Sequence, residues 1–314
     1  MTIAIRTARQ DSPQLPRTVG GRDAAPAEWK EWAEEPGHDL VALDGSRAIG
    51  GLHISIVGPS EGWLEMLRVL PDYRGRGVAS QLVREGEQIV RKYGAGTIRT
   101  AIPAHDYAAL GVSERAGFRR VLQCVVLEAE IPSGPLHLPY DAPTRTPAPA
   151  SAPDVLRFLE GLPTLAAWGH LIPLGWRFRL ITPELLKGLI KDRRVIIALH
   201  PHAVVPSPPP SPAAGKGHGT GLKAGEAALQ AVAMFHVREG TAVFSLIDGT
   251  PSGMQAAFAS TAEVVRDRAE RVAVFTPDAH AIEPLDLRGW APHPWCPEGL
   301  TRSEERRVGK ECRL

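Results

Sequence analysis

The run Arg74-Gly75-Arg76-Gly77-Val78-Ala79 stands between an apolar, strand-like stretch (Trp63 to Leu70) and a helix-like stretch (Val78 to Tyr93). Strand, glycine-rich turn and helix start together build an anion site, whereas a short Arg/Gly turn taken alone also reads as an ordinary solvated turn. Glycine tolerates positive φ and has no Cβ, so Gly75 and Gly77 allow a tight turn and a close approach of ligand to backbone. The first N–H groups of the following helix, with the positive end of its dipole, favour an anion there. Arg74 and Arg76 add planar donors suited to phosphate oxygens. The helix reading rests on Ala79, Leu82, Val83, Gly86, Ile89, Val90 and Tyr93, which recur every three or four residues. Gly86 falls on that face, which points to close contact with a strand, since an interior helical glycine otherwise costs about 1 kcal/mol. The turn lacks the Lys-Ser/Thr pair of a nucleotide P-loop and the second glycine pair of a dinucleotide fingerprint.

Leu67 to Ala79 resembles the acetyl-CoA signature of the GNAT N-acetyltransferase superfamily, Arg/Gln-x-x-Gly-x-Gly/Ala after a strand. Downstream, Glu114-Arg115-Ala116-Gly117-Phe118 is similar to the end of that family's next helix. The resemblance covers roughly residues 1–131. It implies an α/β fold of α+β type: a mixed, mostly antiparallel sheet flanked by helices and splayed where the pantetheine arm of acetyl-CoA enters. It further implies that the backbones of Leu67 and Val69 pair with the pantetheine amides, while Arg74, Gly75, Arg76, Gly77, Val78 and Ala79 hold the pyrophosphate. The local patterns agree with this order. Ile3 to Ala8 reads as a strand, Ala24 to Glu34 as a helix, Leu40 to Leu43 and Ala48 to Val57 as a hairpin about Asp44-Gly45. Thr97 to Ile102 is strand-like, Asp106 to Ala116 helical, and Phe118 to Glu128 strand-like.

The same resemblance assigns Asp106 to the cofactor-contacting position, where relatives usually carry Asn, and places Ser113 where they carry a Tyr that protonates the departing CoA thiolate. Serine is a shorter and poorer acid, so water or another group is the alternative. A base must take a proton from an ammonium acceptor. Glu65 is the candidate, and strict strand alternation puts it on one face with Trp63, Leu67 and Val69. The plainer reading is a strand-end carboxylate facing water or pairing with Arg68. His105 is an alternative acid or base, or a helix cap. Trp29 and Trp32 either line the acceptor pocket or fill the core.

Residues 132–153 are rich in proline and read as a linker to a second domain, residues 154–301. There Pro183 to Asp192 reads as a helix, Val195 to Leu199 as a strand, Ala228 to His236 and Thr241 to Ile247 as a hairpin, Met254 to Arg271 as a helix and Val272 to Phe275 as a strand. This order repeats that of the first half, and a tandem pair of GNAT-like domains is expected, the second degenerate. Its equivalent turn, Asp248 to Gly253, has no arginine and carries an acid, with Thr250 as N-cap and Pro251 at the first helical position, so a second CoA site is not expected. Residues 201–225, rich in Pro, Gly, Ala and Ser, read as a disordered insert. Leu156 to Trp176, with Trp168 and Trp176, reads as core or interface. The second domain is expected to shape the acceptor pocket and to support a homodimer.

Residues 302–314 have no apolar face and resemble the translation of a sequencing-library adapter, so they are expected to be an artefact replacing the natural C-terminus. Removing them turns 36 basic and 35 acidic side chains into 31 and 32, from net +1 to −1. Such a near-neutral chain with dispersed charge does not read as a nucleic-acid binder. Three cysteines support neither a disulfide framework nor a zinc site. No signal-like start and no apolar run of the ~20 residues that span a bilayer is present, and a cytoplasmic protein without membrane association is expected. The function expected is transfer of an acetyl group from acetyl-CoA to an amine acceptor by direct attack in a ternary complex. The alternatives are a non-catalytic CoA-binding module or an interaction protein that recruits the acceptor.

Overall fold

A computed structural model describes residues 3–7, 37–57, 61–132, 134, 142–200, 229–285, 289–294 and 296–306. The helix read over Ala24 to Glu34, Trp29 and Trp32 within it, the insert 201–225 and residues 307–314 lie outside these. The chain divides into two compact units, residues 1–123 with 300–314, and residues 124–299.

In the first unit β1 (Ile3–Thr7), β2 (Gly37–Asp44), β3 (Arg47–Val57) and β4 (Glu61–Val69) pair antiparallel in sequence order. The β2–β3 turn is tight because Gly45 takes φ 60°. A helix, α1 (Val78–Lys92), then crosses to β5 (Thr97–Pro103), which lies parallel to β4. Helix α2 (Tyr107–Arg115) follows. Leu82, Val83 and Val90 of α1 pack on Leu52, Ile54 and Leu64 of β3 and β4. Glycines set how close they come. A Cβ on Gly86 would lie 2.8 Å from Leu52 Cδ2, and one on Gly62 2.2 Å from Val90 Cγ1.

The division between units falls inside β6 (Arg119–Glu130), between Gln123 and Cys124, and not in a proline-rich linker. The second unit comprises β7 (Thr144–Arg145), α3 (Ala152–Glu160), α4 (Pro163–Ala167), the hairpin β8 (Leu171–Leu174) and β9 (Arg177–Leu180), and α5 (Pro183–Lys191). Then come β10 (Val195–Leu199), β11 (Leu229–Arg238), β12 (Thr241–Gly249), α6 (Pro251–Val265), β13 (Arg271–Thr276) and β14 (Ala291–Pro292). Its sheet runs β6-β13-β12-β11-β10-β7, with β14 also on β6. The antiparallel trio β10, β11, β12, the helix α6 and the parallel strand β13 repeat β2, β3, β4, α1 and β5. The stretch read as linker supplies β7, which pairs with β10, and the start of α3. Its prolines misled because Pro149 and Pro153 sit in first helical turns, where the missing N–H is no loss. Helix α6 ends at Val265, short of the Arg271 expected, and Arg271 opens β13 instead.

The chain then returns to the first unit. Strand β15 (Leu300–Arg306) pairs antiparallel with β5, from Leu300 opposite Pro103 to Arg306 opposite Thr97. Residues 302–306, read from side-chain pattern as lying outside the fold, therefore take a strand position. Backbone groups make a ladder, so a strand need not show an apolar face. No described helix is long and apolar enough to cross a membrane.

Candidate active site

The geometry begins with a bulge. Gly51 of β3 pairs with Arg68 and His53 with Glu65, so two residues of β4, Met66 and Leu67, oppose the single Leu52. Met66 adopts φ 54° to accommodate the extra residue. Pairing of β4 with β5 runs over Glu61, Gly62 and Trp63 and goes no further, so the two parallel strands part before the bulge. The bulge also reverses the side-chain parity of β4. Leu67 and Val69 pack on the α1 side with Leu64, whereas Trp63, fully buried and two residues before Glu65, is absent from that cluster. The expectation of one face shared by Glu65, Leu67 and Val69 is thereby corrected. Alternation holds only while one residue opposes one.

Beyond β4, a single 3₁₀ turn (Pro71–Tyr73) leads into Arg74, and α1 begins after Gly75 and Gly77, with φ 73° and φ 80°. Gly77 is the N-cap, and no side chain caps the first N–H groups of α1. A Cβ on Gly75 or Gly77 would meet nothing within 4 Å. These glycines are required by backbone conformation, and they border open space. Arg74 donates from Nε to the Val69 carbonyl at 3.1 Å, and Arg68 from Nη1 to the Leu67 carbonyl at 3.1 Å. Both carbonyls are those of the strand residues expected to meet pantetheine. The guanidinium of Arg76 lies 5.5 Å from the Tyr73 ring centre and that of Arg47 5.6 Å, while Tyr73 donates to Asp44 Oδ2 at 3.2 Å. The turn is thus moored to the β2–β3 hairpin by cation–π contacts. Val78 is buried against Gly50, and Ala79 is partly exposed.

Glu65 accepts a hydrogen bond at Oε2 from Ser55 Oγ, 2.8 Å away on β3. Its direct cross-strand partner is His53, whose partner on β2 is Asp39. His53 Nδ1 stands 2.8 Å from Asp39 Oδ1; the imidazole side is 5% exposed and the carboxylate 50%. Neither residue was singled out by sequence reasoning, and only the register of three strands brings them beside Glu65. Next along, the indole of Trp63 is fully buried, and Arg99 of β5 bonds Glu61 at 2.6 Å.

In α2, Asp106 is the N-cap, accepting from the Ala109 N–H at 3.0 Å. Ser113 is buried, and its Oγ donates to the Leu110 carbonyl at 2.8 Å. Its hydroxyl proton is therefore engaged within its own helix. His105 precedes the cap in a turn.

The corresponding turn of the second unit is filled by protein. Asp248 is buried, accepting from the Gly249 N–H at 2.7 Å and from the Thr164 N–H, at the start of α4, at 3.1 Å. Thr250 caps α6 through the Gly253 N–H at 3.2 Å. A Cβ on Gly249 would lie 2.2 Å from the Gln230 carbonyl oxygen, and one on Gly253 2.8 Å from Gln230 Cβ. Strand β12 carries its own bulge, with Ser245 extra between Met234 and Phe235 of β11, and parts from β13 after Phe244. The two units share the splayed strands and differ at the helix start.

Residues 4–118 match the model of the Acetyltransferase (GNAT) family. Residues 4–118 are a GNAT domain. Over 89 residues the chain is 30% identical to N-alpha-acetyltransferase 30 of Schizosaccharomyces pombe, a match spanning 27% of this chain and 59% of that protein. The chain thus covers less than two thirds of that relative. Among solved structures, a GCN5-related N-acetyltransferase from Sphaerobacter thermophilus aligns over 97% of this chain and 95% of its own, at 14% identity and TM-score 0.60. A tandem GNAT protein from the clavulanic acid biosynthesis pathway aligns over 97% and 98%, at 13% identity and TM-score 0.55. These similarities concern fold, and they extend beyond the GNAT domain into the second unit.

Proposed function

We propose that the protein transfers an acetyl group from acetyl-CoA to an amine by direct attack within a ternary complex. The observation that carries this reading is the uncapped start of α1 behind two positive-φ glycines, open to the outside and placed where β4 parts from β5. Free N–H groups at a helix start suit a pyrophosphate. In this reading Val78, Ala79 and the glycine backbone hold the pyrophosphate. Arg74 swings from the Val69 carbonyl to the phosphates, Arg76 lies alongside, and the freed Leu67 and Val69 backbones meet pantetheine. Asp106 serves the cofactor side only as the cap that orients α2.

The acceptor ammonium gives a proton to Glu65, directly or through one water. The amine nitrogen then forms a bond to the thioester carbonyl carbon, the carbonyl π pair moves to oxygen, the nitrogen gives its second proton to water, and return of the oxygen pair expels the CoA thiolate. Holding both substrates in one cleft supplies much of the acceleration. A thiolate leaves adequately without a dedicated acid, and with Ser113 tied to Leu110 the thiolate takes its proton from water. The same bond favours a second reading, a GNAT domain that binds CoA without turnover.

Calorimetry with acetyl-CoA and a CoA-release screen over amine classes test these readings. Arg74→Ala with Arg76→Ala is expected to weaken acetyl-CoA at least tenfold, about 1.4 kcal/mol. Unchanged affinity would remove the phosphate-turn assignment. Binding without CoA release from any amine would select the second reading.

A further inference from the structure

On the face of the first sheet away from α1, Asp39 of β2, His53 of β3 and Glu65 of β4 stand side by side as direct cross-strand partners. Directly opposed residues of antiparallel strands hold their Cβ atoms about 4.5–5.5 Å apart. This row runs from a buried imidazole to a half-exposed carboxylate, with the Nδ1–Oδ1 contact at 2.8 Å. Other charged groups on this face of β4 and β5 are Arg68, which donates to the Leu67 carbonyl at 3.1 Å, and Glu61 and Arg99, paired with each other at 2.6 Å. Ser55 donates to one oxygen of Glu65. The Glu61–Arg99 pair and the Asp39–His53–Glu65 row thus stand as separate groups on this face.

We propose that Asp39, His53 and Glu65 form a proton path that clears the acceptor's proton from the site to solvent. The inference rests on the acetyl-transfer reading, which needs a base but not a route onward from it. An ionised carboxylate only accepts hydrogen bonds, so Asp39 fixes the proton on His53 Nδ1 and makes Nε2 the basic nitrogen. Glu65 takes a proton from the ammonium and becomes a carboxylic acid. It passes that proton to Nε2, the resulting imidazolium releases its Nδ1 proton toward Asp39 and water, and proton exchange with water, one gained at Nδ1 and one lost from Nε2, restores the starting tautomer. No charge accumulates and no co-reactant is needed. Glu65 alone touches the substrate, and His53 and Asp39 act through it.

The test uses the full chain. Proton-detected titration of the His53 ring is compared in the wild type, Glu65→Gln and Asp39→Asn. Both changes are expected to move its midpoint, because coupled sites titrate together. Steady-state kinetics against pH are then measured for His53→Gln, Glu65→Gln and the double variant. His53→Gln is expected to lower kcat by about tenfold or more, with acetyl-CoA affinity held within about twofold, and to displace the pH profile. In the double variant it should add nothing to Glu65→Gln, as expected of groups acting as a unit. Asp39 is half exposed, so Asp39→Asn serves if His53→Gln does not fold. A His53 midpoint indifferent to Glu65→Gln, or additive losses in the double variant, overturns the path. Coupled titration with no CoA release by the wild type would instead remove the acetyl-transfer reading and leave the coupling in place.

Discussion

An added methyl group is expected to act differently at the two helix starts. Gly77 holds φ 80° and ψ 2°, with nothing within 4 Å of where a Cβ would stand. Gly77→Ala therefore costs only backbone strain, roughly 1–2 kcal/mol for an alanine in the left-handed region. Part of that, about 0.4–1 kcal/mol, returns through the less flexible unfolded chain. The net loss is about 1 kcal/mol, worth about 2–4 °C in Tm for a domain of this size. The variant stays folded, so a change in acetyl-CoA affinity reports on the native turn. We expect at least a tenfold loss, because the methyl enters the space left for ligand and the backbone relaxes away from the angle that aims the first N–H groups. Gly253→Ala makes the same change at the start of α6, where the new carbon would meet Gln230 Cβ at 2.8 Å and Ala231 Cβ at 3.0 Å. Overpacking there costs about 1–3 kcal/mol, eased by about 1 kcal/mol of helix propensity, and acetyl-CoA affinity should not move. Urea unfolding and calorimetry on both variants give the comparison. Wild-type affinity in Gly77→Ala, or equal loss of affinity in both, would refute the reasoning.

Three further outcomes follow from packing and burial. Gly62→Ala forces a carbon to within 2.2 Å of Val90 Cγ1, so it should destabilise by about 1–3 kcal/mol. Adding Val90→Ala should recover at least about 1 kcal/mol relative to additivity in urea unfolding, and strict additivity would deny the contact. Burial first, then the charges of Arg194 and Arg238, lowers the His236 pKa from 6.5 to about 4. Between those values the unfolded chain binds the extra proton, so stability is full above the upper value and falls with decreasing pH, by up to about 3 kcal/mol. His236→Gln should flatten that part of the stability profile, and an unchanged slope would contradict it. Burial, then the Glu128 charge, pushes the Cys296 thiol up to about 12, and burial raises Cys124 further. With Cys312 replaced by serine, neither thiol of the folded protein should react with a disulfide reagent at pH 8 until denaturant is added.

The glycines of the turn, the apolar stripe of α1 and the close approach of Gly86 were legible because each is a local rule with a local cause. So was the repeat of the second half, through Thr250 and Pro251. What escaped the sequence was non-local or broke a period. Met66 has no special identity, yet its positive φ reverses the parity of β4 and separates Glu65 from Leu67 and Val69. Asp39 and His53 lie 26 and 12 residues before Glu65, and only antiparallel register aligns them. Strand β8 lay within Leu156 to Trp176, read as core or interface, while its partner β9 lay beyond that stretch; Trp168 and Phe178 pack edge to face, ring centres 6.1 Å apart. Strand β15 was missed because its place depends on the edge that β5 offers, a property of the sheet and not of the residues that fill it.

The contrast between Gly77 and Thr250 also bears on stability. A side-chain N-cap is worth about 1 kcal/mol. Relative to a glycine cap the gain is only about a few tenths of a kcal/mol, and at φ 80° a side chain on Gly77 would add strain. The second unit instead has Thr250 over its own helix and β11 close against the glycines. The two turns therefore differ in what their first N–H groups meet: in the second unit a threonine side chain, and in the first, on the reading proposed above, an incoming anion.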